Sequence, residues 1–191
     1  MPAAVFDSGT GRAVQPPQAM VRNLKTVKAT FTRPADTTTY TIGDVVGPVT
    51  TPAAQSFPSV ARGNGGTGKV VRVTLETNNP TVTLGTFRWH FFNSVVVPAA
   101  DNAAFLLHTI AGAAGINYVG YVDPPIVVAD YATATGVVSR LTAGIDAAKG
   151  IPLDYQCAAA GSGLWVVLVA LGAYVPISGQ VFNLAVTVEM D

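Results

Sequence analysis

A period of two constrains this chain more than any other feature. Short runs in which apolar and polar side chains alternate recur along it, each closed by Gly, Pro, Asn or Asp. Leu24 to Thr32 sets Val27, Ala29 and Phe31 against Lys28, Thr30 and Thr32. Lys69 to Thr77 sets Val71, Val73 and Leu75 against Arg72, Thr74 and Glu76, and Val181 to Glu189 sets Phe182, Leu184, Val186 and Val188 against Asn183, Ala185, Thr187 and Glu189. Such alternation sends successive side chains to opposite faces of a strand, whereas a helix repeats every 3.6 residues. Thr81 to Asn93 follows the same rule with aromatic content: Phe87, Trp89 and Phe91 on one face, Arg88, His90 and Phe92 on the other. Thr37 to Val46, Tyr118 to Val122, Ile126 to Tyr131, Val137 to Leu141, Leu153 to Cys157 and Leu164 to Tyr174 read as further short strands. Arg33-Pro34, Gly47-Pro48, Gly63 to Gly68 and Asn78-Asn79-Pro80 are the turns between them. Helical turns are expected only at Ala103 to Leu107 and Ala143 to Lys149. Many short strands at this spacing predict an all-β fold, an antiparallel β-sandwich, jelly-roll-like, as one domain over residues 24–191. Residues 1–23 show no period and mix Pro, Gly, Ala and Gln, which predicts an extended N-terminal arm ordered by a partner.

Surface chemistry narrows the function classes. Only 12% of the 191 residues are charged against 49% hydrophobic, about half the usual charged share. That argues against a free monomer and for a surface that meets other protein. Leu164 to Val169 is apolar at both parities. One face packs into the sandwich core, and the other needs a second layer of chain or a neighbouring subunit, since large apolar patches are rarely left in water. A homo-oligomer, a trimer in particular, is therefore expected. Residues 1–90 carry nine Lys/Arg against four Asp/Glu, a net of +5, and residues 91–191 carry two against seven, a net of −5. Opposite halves of this kind set the register between copies. No basic run or Arg-rich stripe points to nucleic acid. The longest apolar run, the fourteen residues Leu164 to Ile177, is short of the roughly 20 a membrane helix needs. Met1 to Met20 lacks the basic-then-apolar pattern of a secretory signal.

Motifs that would carry chemistry fail on inspection. Gly63-Asn64-Gly65-Gly66-Thr67-Gly68-Lys69 imitates a phosphate loop, but Val70 stands where Ser or Thr should hold magnesium, and a strand follows where a helix should. His90, His108 and Cys157 supply no local zinc pattern. Cys157, beside Ala158, Ala159 and Ala160, reads as a buried inert thiol, and His90 as a strand residue facing solvent or a neighbour. Asp36, Asp44, Asp101, Asp123 and Asp130 mostly adjoin Pro, Gly or Asn, where Asp stabilises turns rather than forming an acid–base pair. Trp89, Trp165, Tyr118, Tyr121 and Tyr131 are candidates for a sugar-stacking platform. No cofactor and no metal is expected, and the chain reads as a protein that is not an enzyme.

Three stretches resemble the decoration, or cement, proteins and related minor structural proteins of tailed-bacteriophage heads. The first is Ala35-Asp36-Thr37-Thr38-Thr39-Tyr40-Thr41-Ile42-Gly43-Asp44-Val45-Val46-Gly47. The second is Gly68-Lys69-Val70-Val71-Arg72-Val73-Thr74-Leu75, and the third Gly85 to Asn93 with Pro98 and Asp101-Asn102-Ala103-Ala104-Phe105. Together they span about residues 24–107. The resemblance implies a small β protein of the virion, made in the host cytoplasm, that binds the major capsid protein on the outside of an assembled shell, often as a trimer. In that setting the arm would lie across a neighbour, with Val5, Phe6, Arg12, Val14, Met20 and Arg22 as candidate partner-binding residues. The alternative is a lectin-like or fibre-type module attaching to host glycans.

Overall fold

The computed structural model describes residues 5–6, 13–14, 23–48, 53–79, 86–109, 117–124, 131–133, 136–143, 148 and 150–191. Its strands are β1 (Val5–Phe6), β2 (Ala13–Val14), β3 (Asn23–Thr32), β4 (Val45–Val46), β5 (Gln55–Phe57), β6 (Thr67–Thr77), β7 (Phe87–Phe92), β8 (Tyr118–Val122), β9 (Tyr131–Thr133), β10 (Gly136–Ala143), β11 (Leu153–Gln156), β12 (Leu164–Ala170) and β13 (Val181–Met190). Leu107–Thr109 is a 3-10 turn, and Ala148, within the expected helical turn Ala143 to Lys149, is also in 3-10 conformation. The expected segments Ile126 to Asp130 and Thr81 to Gly85 lie outside the described residues, as does most of Ala143 to Lys149.

The protein is all-β, and its sheets are antiparallel. One sheet has the order β3-β13-β6-β10-β9, with β11 also on β6. The other has the order β4-β12-β7-β8, with β5 also on β12. The inward parities predicted for β3, β7 and β13 hold: Phe31, Phe87, Trp89, Phe91, Phe182, Leu184, Val186 and Val188 are buried in one cluster with residues of both sheets. Phe31 and Phe182, side by side on β3 and β13, stack at 5.1 Å, and Phe87 from the facing sheet meets Phe182 edge-on at 5.8 Å.

Strand β6 departs from its expected alternation. Thr187 pairs with Arg72 but Val188 pairs with Val70, so Val71 is the extra residue of a β-bulge. Beyond it the parity flips, and Val70 joins Val73 and Leu75 in the core while Val71 is only half-buried. The glycine-rich segment before it is a turn followed by strand, as its failed phosphate pattern suggested. Gly68 is constrained there by packing, because a Cβ would stand 2.5 Å from Glu189 O and equally close to the Tyr155 hydroxyl.

Thr37 to Val46 is not one strand. Tyr40 makes an isolated bridge to Tyr174, Asp44 one to Ala104, and only β4 belongs to a sheet. Side chains capture the backbone here: Thr38 N donates to Asp36 Oδ1 at 2.9 Å, Thr41 N donates to Asp44 Oδ2 at 2.6 Å, and Gly43 takes φ +93°. The same bridge makes Ala104 extended, so the helical turn expected at Ala103 to Leu107 begins later, at Leu107.

Strand β12 is buried on both faces, and its own chain supplies the cover. Val167 and Val169 form a second apolar cluster with Val45, Phe92 and Val96, against which Ala54, Ala99, Phe105 and Leu107 pack. Of the two covers the sequence allowed, a second layer of chain is the one present, so this face demands no subunit partner.

Candidate functional site

The segments before β4 and after β7 meet around one buried cation. Arg33, fully buried, follows β3 and donates through Nε to the Tyr40 hydroxyl at 2.8 Å. Its Nη1 donates to Asp36 O at 2.6 Å, and its Nη2 to Asp36 Oδ1 at 3.1 Å and Asp101 Oδ2 at 3.3 Å. The Tyr40 hydroxyl donates to Asp101 Oδ1 at 2.6 Å, and Gly47 N donates to the same oxygen at 2.9 Å. Burial opposes the guanidinium charge, yet the bonds to Tyr40 and Asp36 outweigh it and hold the Arg33 pKa above its ordinary value. Burial, then the bond to Asp101, pushes the Tyr40 phenol well up. The Asp36 carboxyl is held below its usual range by the Thr38 amide first and Arg33 second. The three guanidinium nitrogens of Arg33, the Tyr40 hydroxyl and both Asp101 carboxylate oxygens all bond other atoms of the chain. Asp36 and Asp101 do come together, both accepting from Arg33 Nη2.

A second network closes the adjacent edge. Tyr174 Oη donates to Gln180 Oε1 at 2.7 Å, Asn79 Nδ2 donates to Tyr174 Oη at 2.7 Å, and Gln180 Nε2 donates to Thr77 Oγ1 at 2.5 Å. In the sequence Arg33 and Asn79 read only as turn residues beside a proline, and Gln180 carries no signal beyond its place directly before β13.

The outer face of β7 and β8 carries the most chemically varied surface. Arg88 pairs bidentately with Asp123 at 2.8 and 2.7 Å and lies over the Tyr121 ring at 4.0 Å. His90 is buried rather than facing solvent, against Phe105 at 4.3 Å, with its Nδ1 3.0 Å from the Tyr118 hydroxyl. The reason is the layer carrying Phe105, which folds over β7 through Phe105 N donating to Gly43 O at 2.8 Å. Burial first, then the Arg88 charge, lowers the His90 pKa to about 4. Burial raises Tyr118 to about 12. Tyr121, Leu106, Val95, Val97 and Ile42 stand exposed on or beside this covering layer. Aromatic rings, Arg and exposed aliphatics are the composition of protein–protein contact surfaces.

The remaining residues singled out in the sequence scatter. Cys157 is a free buried thiol whose pKa burial raises. His108 is exposed and lies in the 3-10 turn. Among the described residues no group of three His, Cys, Asp or Glu could hold a metal ion. Trp89 is wholly buried, so it cannot belong to a sugar platform. Val5, Phe6 and Val14 lie in β1 and β2, which pair antiparallel through Val5 with Val14 and Phe6 with Ala13. Arg12, Met20, Arg22 and Asp130 lie outside the described residues. No helix of the described residues is long and apolar enough to cross a membrane.

No family model matches the chain, and no curated protein does. The solved structures that the chain matches include chains of two phage capsid structures. One is a chain of the acidic stable capsid structure of Helicobacter pylori bacteriophage KHP30, at 17% identity, covering 87% of this chain and 86% of that one, with a TM-score of 0.31. Another is a chain of the cyanophage Pam1 capsid asymmetric unit, at 16% identity over 100% of both chains, with a TM-score of 0.36.

Proposed function

We propose that this chain is a non-enzymatic structural protein of a virus particle that binds the outer surface of an assembled phage capsid and stabilises it. One observation carries the reading. Two of the stretches that resemble head-decoration proteins, Asp36 to Gly47 and Asp101 to Phe105, converge on the Arg33 hub and form the layer over β12. The resembling motif is thus the chain's way of building that layer, whose outer side bears Ile42, Val95, Val97 and Leu106. The major capsid protein is the partner of this surface, and further copies of the chain, in a trimer, are its neighbours. The glycan-binding alternative is weakened by the burial of Trp89.

The test is co-sedimentation of the purified protein with mature phage shells lacking it, with the copies per shell counted. Saturation at a number set by the shell's symmetry supports decoration. No binding to shells of any maturation state, or binding to a glycan array instead, overturns it.

A further inference from the structure

The long strand β3 ends its sheet, and its free side is a template for another strand. Among the described residues its ladder partner is β13 alone. Arg33 N donates to Gln180 O at 3.0 Å, in the same register as the β3–β13 pairs. Odd-numbered residues of β3 therefore turn their backbone groups to β13. The opposite parity on β13 confirms this, since Val181 N points the other way, to Asn78 Oδ1 at 2.8 Å. Hence Leu24, Thr26, Lys28, Thr30 and Thr32 present their N–H and C=O groups outward. Among the described residues no second strand meets this edge of ten unbulged residues with five such pairs, a long template.

We infer that this edge receives the β1–β2 pair of a neighbouring copy by strand addition; the inference rests on the homo-oligomer proposed above. Three observations select that occupant. The β1–β2 pair forms a sheet of only two strands, two residues each, and such a ribbon gains stability only by joining a larger sheet. The sequence that links it to β3, residues 15–22, contains Pro16-Pro17, and consecutive prolines disfavour a tight return onto the same β3. Pairing two β3 edges with each other about their middle would oppose Lys28 of one copy to Lys28 of the next, which like charges disfavour. The strands β1 and β2 carry no charge of their own, with Asp7 directly after β1 and Arg12 directly before β2.

Cross-linking of the full chain tests this. Phe6→Cys and Lys28→Cys chains are mixed at micromolar concentration and oxidised, with Cys157 left buried and an Ala173→Cys chain replacing Lys28→Cys as an exposed control. A disulfide-linked pair of the two different chains, at least fivefold above the control, is expected. Lys28→Pro, which deletes an outward N–H and leaves the β13 ladder intact, should weaken self-association at least tenfold in sedimentation equilibrium. A Phe6→Cys/Lys28→Cys chain that closes on itself at high dilution overturns the inference in favour of a return within one chain. Cross-linking at control level overturns it as well. An oligomeric mass in the second case preserves the homo-oligomer and sinks only the edge; a monomeric mass sinks both.

Discussion

Arg33 and His90 show how differently two buried basic side chains are accommodated. The Arg33 charge is kept, because Tyr40, Asp36 and Asp101 surround it. Removing one partner of a buried ion pair leaves the other charge uncompensated, at a cost of about 3–5 kcal/mol. Arg33→Met should therefore lower the unfolding free energy by about that amount in urea titration, and a loss under about 1 kcal/mol would show the hub to be dispensable. His90 instead loses its charge. Its pKa is about 4 folded against 6.5 as the ordinary value. As pH falls the unfolded state binds the proton first, so the stability His90 contributes is whole above about 6.5 and is lost between 6.5 and 4. That difference amounts to roughly 3 kcal/mol. The groups facing the ring are Arg88, Asp123, Tyr118 and Tyr121. Comparing urea midpoints at pH 7 and pH 4.5, the native protein should lose more stability than His90→Gln. Equal losses would mean that His90 is protonated in the fold.

At the scale of elements, the doubly buried strand β12 makes the sharpest test. Val167 sits among Val45, Phe92, Val96 and Val169, so Val167→Lys forces an ammonium into an apolar cluster and should abolish folding, read as loss of the cooperative thermal transition. Ile42→Lys, at a side chain 74% exposed on the same layer, should shift stability by no more than about 0.5 kcal/mol. If both variants fold equally well, the second cluster is not a core. The same elements show what a sequence can display. Alternation in β3, β7 and β13 was readable because each strand buries one face, and the residues of that face share a parity. The bulge at Val71 was not, since Val70 and Val71 are both plausible inward residues until β13 chooses between them. Nor was the hub: Arg33 and Asp101 are 68 residues apart, and nothing local marks a guanidinium for burial by a loop that distant. His90 was misjudged for the same reason, its cover coming from the Phe105 segment rather than from its own strand's neighbours.

For the whole molecule, the proposed decoration would act by thermodynamic linkage. A protein that binds the assembled shell and not its dispersed subunits stabilises assembly by RT ln(1 + [L]/Kd) at each site, about 2.7 kcal/mol when its free concentration is one hundred times Kd. Summed over the many equivalent sites of a shell, even weak docking outweighs the loss of any single contact. The chain's composition fits this use, with 12% charged residues and exposed Ile42, Val95, Val97 and Leu106 on the covering layer. Adding the protein to undecorated shells should raise their disruption temperature, and the rise should grow with the logarithm of free protein once sites are filled. On the proposed reading, residues 1–22 and the exposed layer should make separable contributions to that rise. Ile42→Lys together with Val97→Lys should weaken shell binding while leaving the Phe6–Lys28 cross-link between copies intact. Removing residues 1–22 should do the reverse, abolishing self-association and reducing shell binding only by the avidity that linked copies supply. Shells whose disruption temperature does not respond to saturating protein would break the linkage, whatever the stoichiometry of binding.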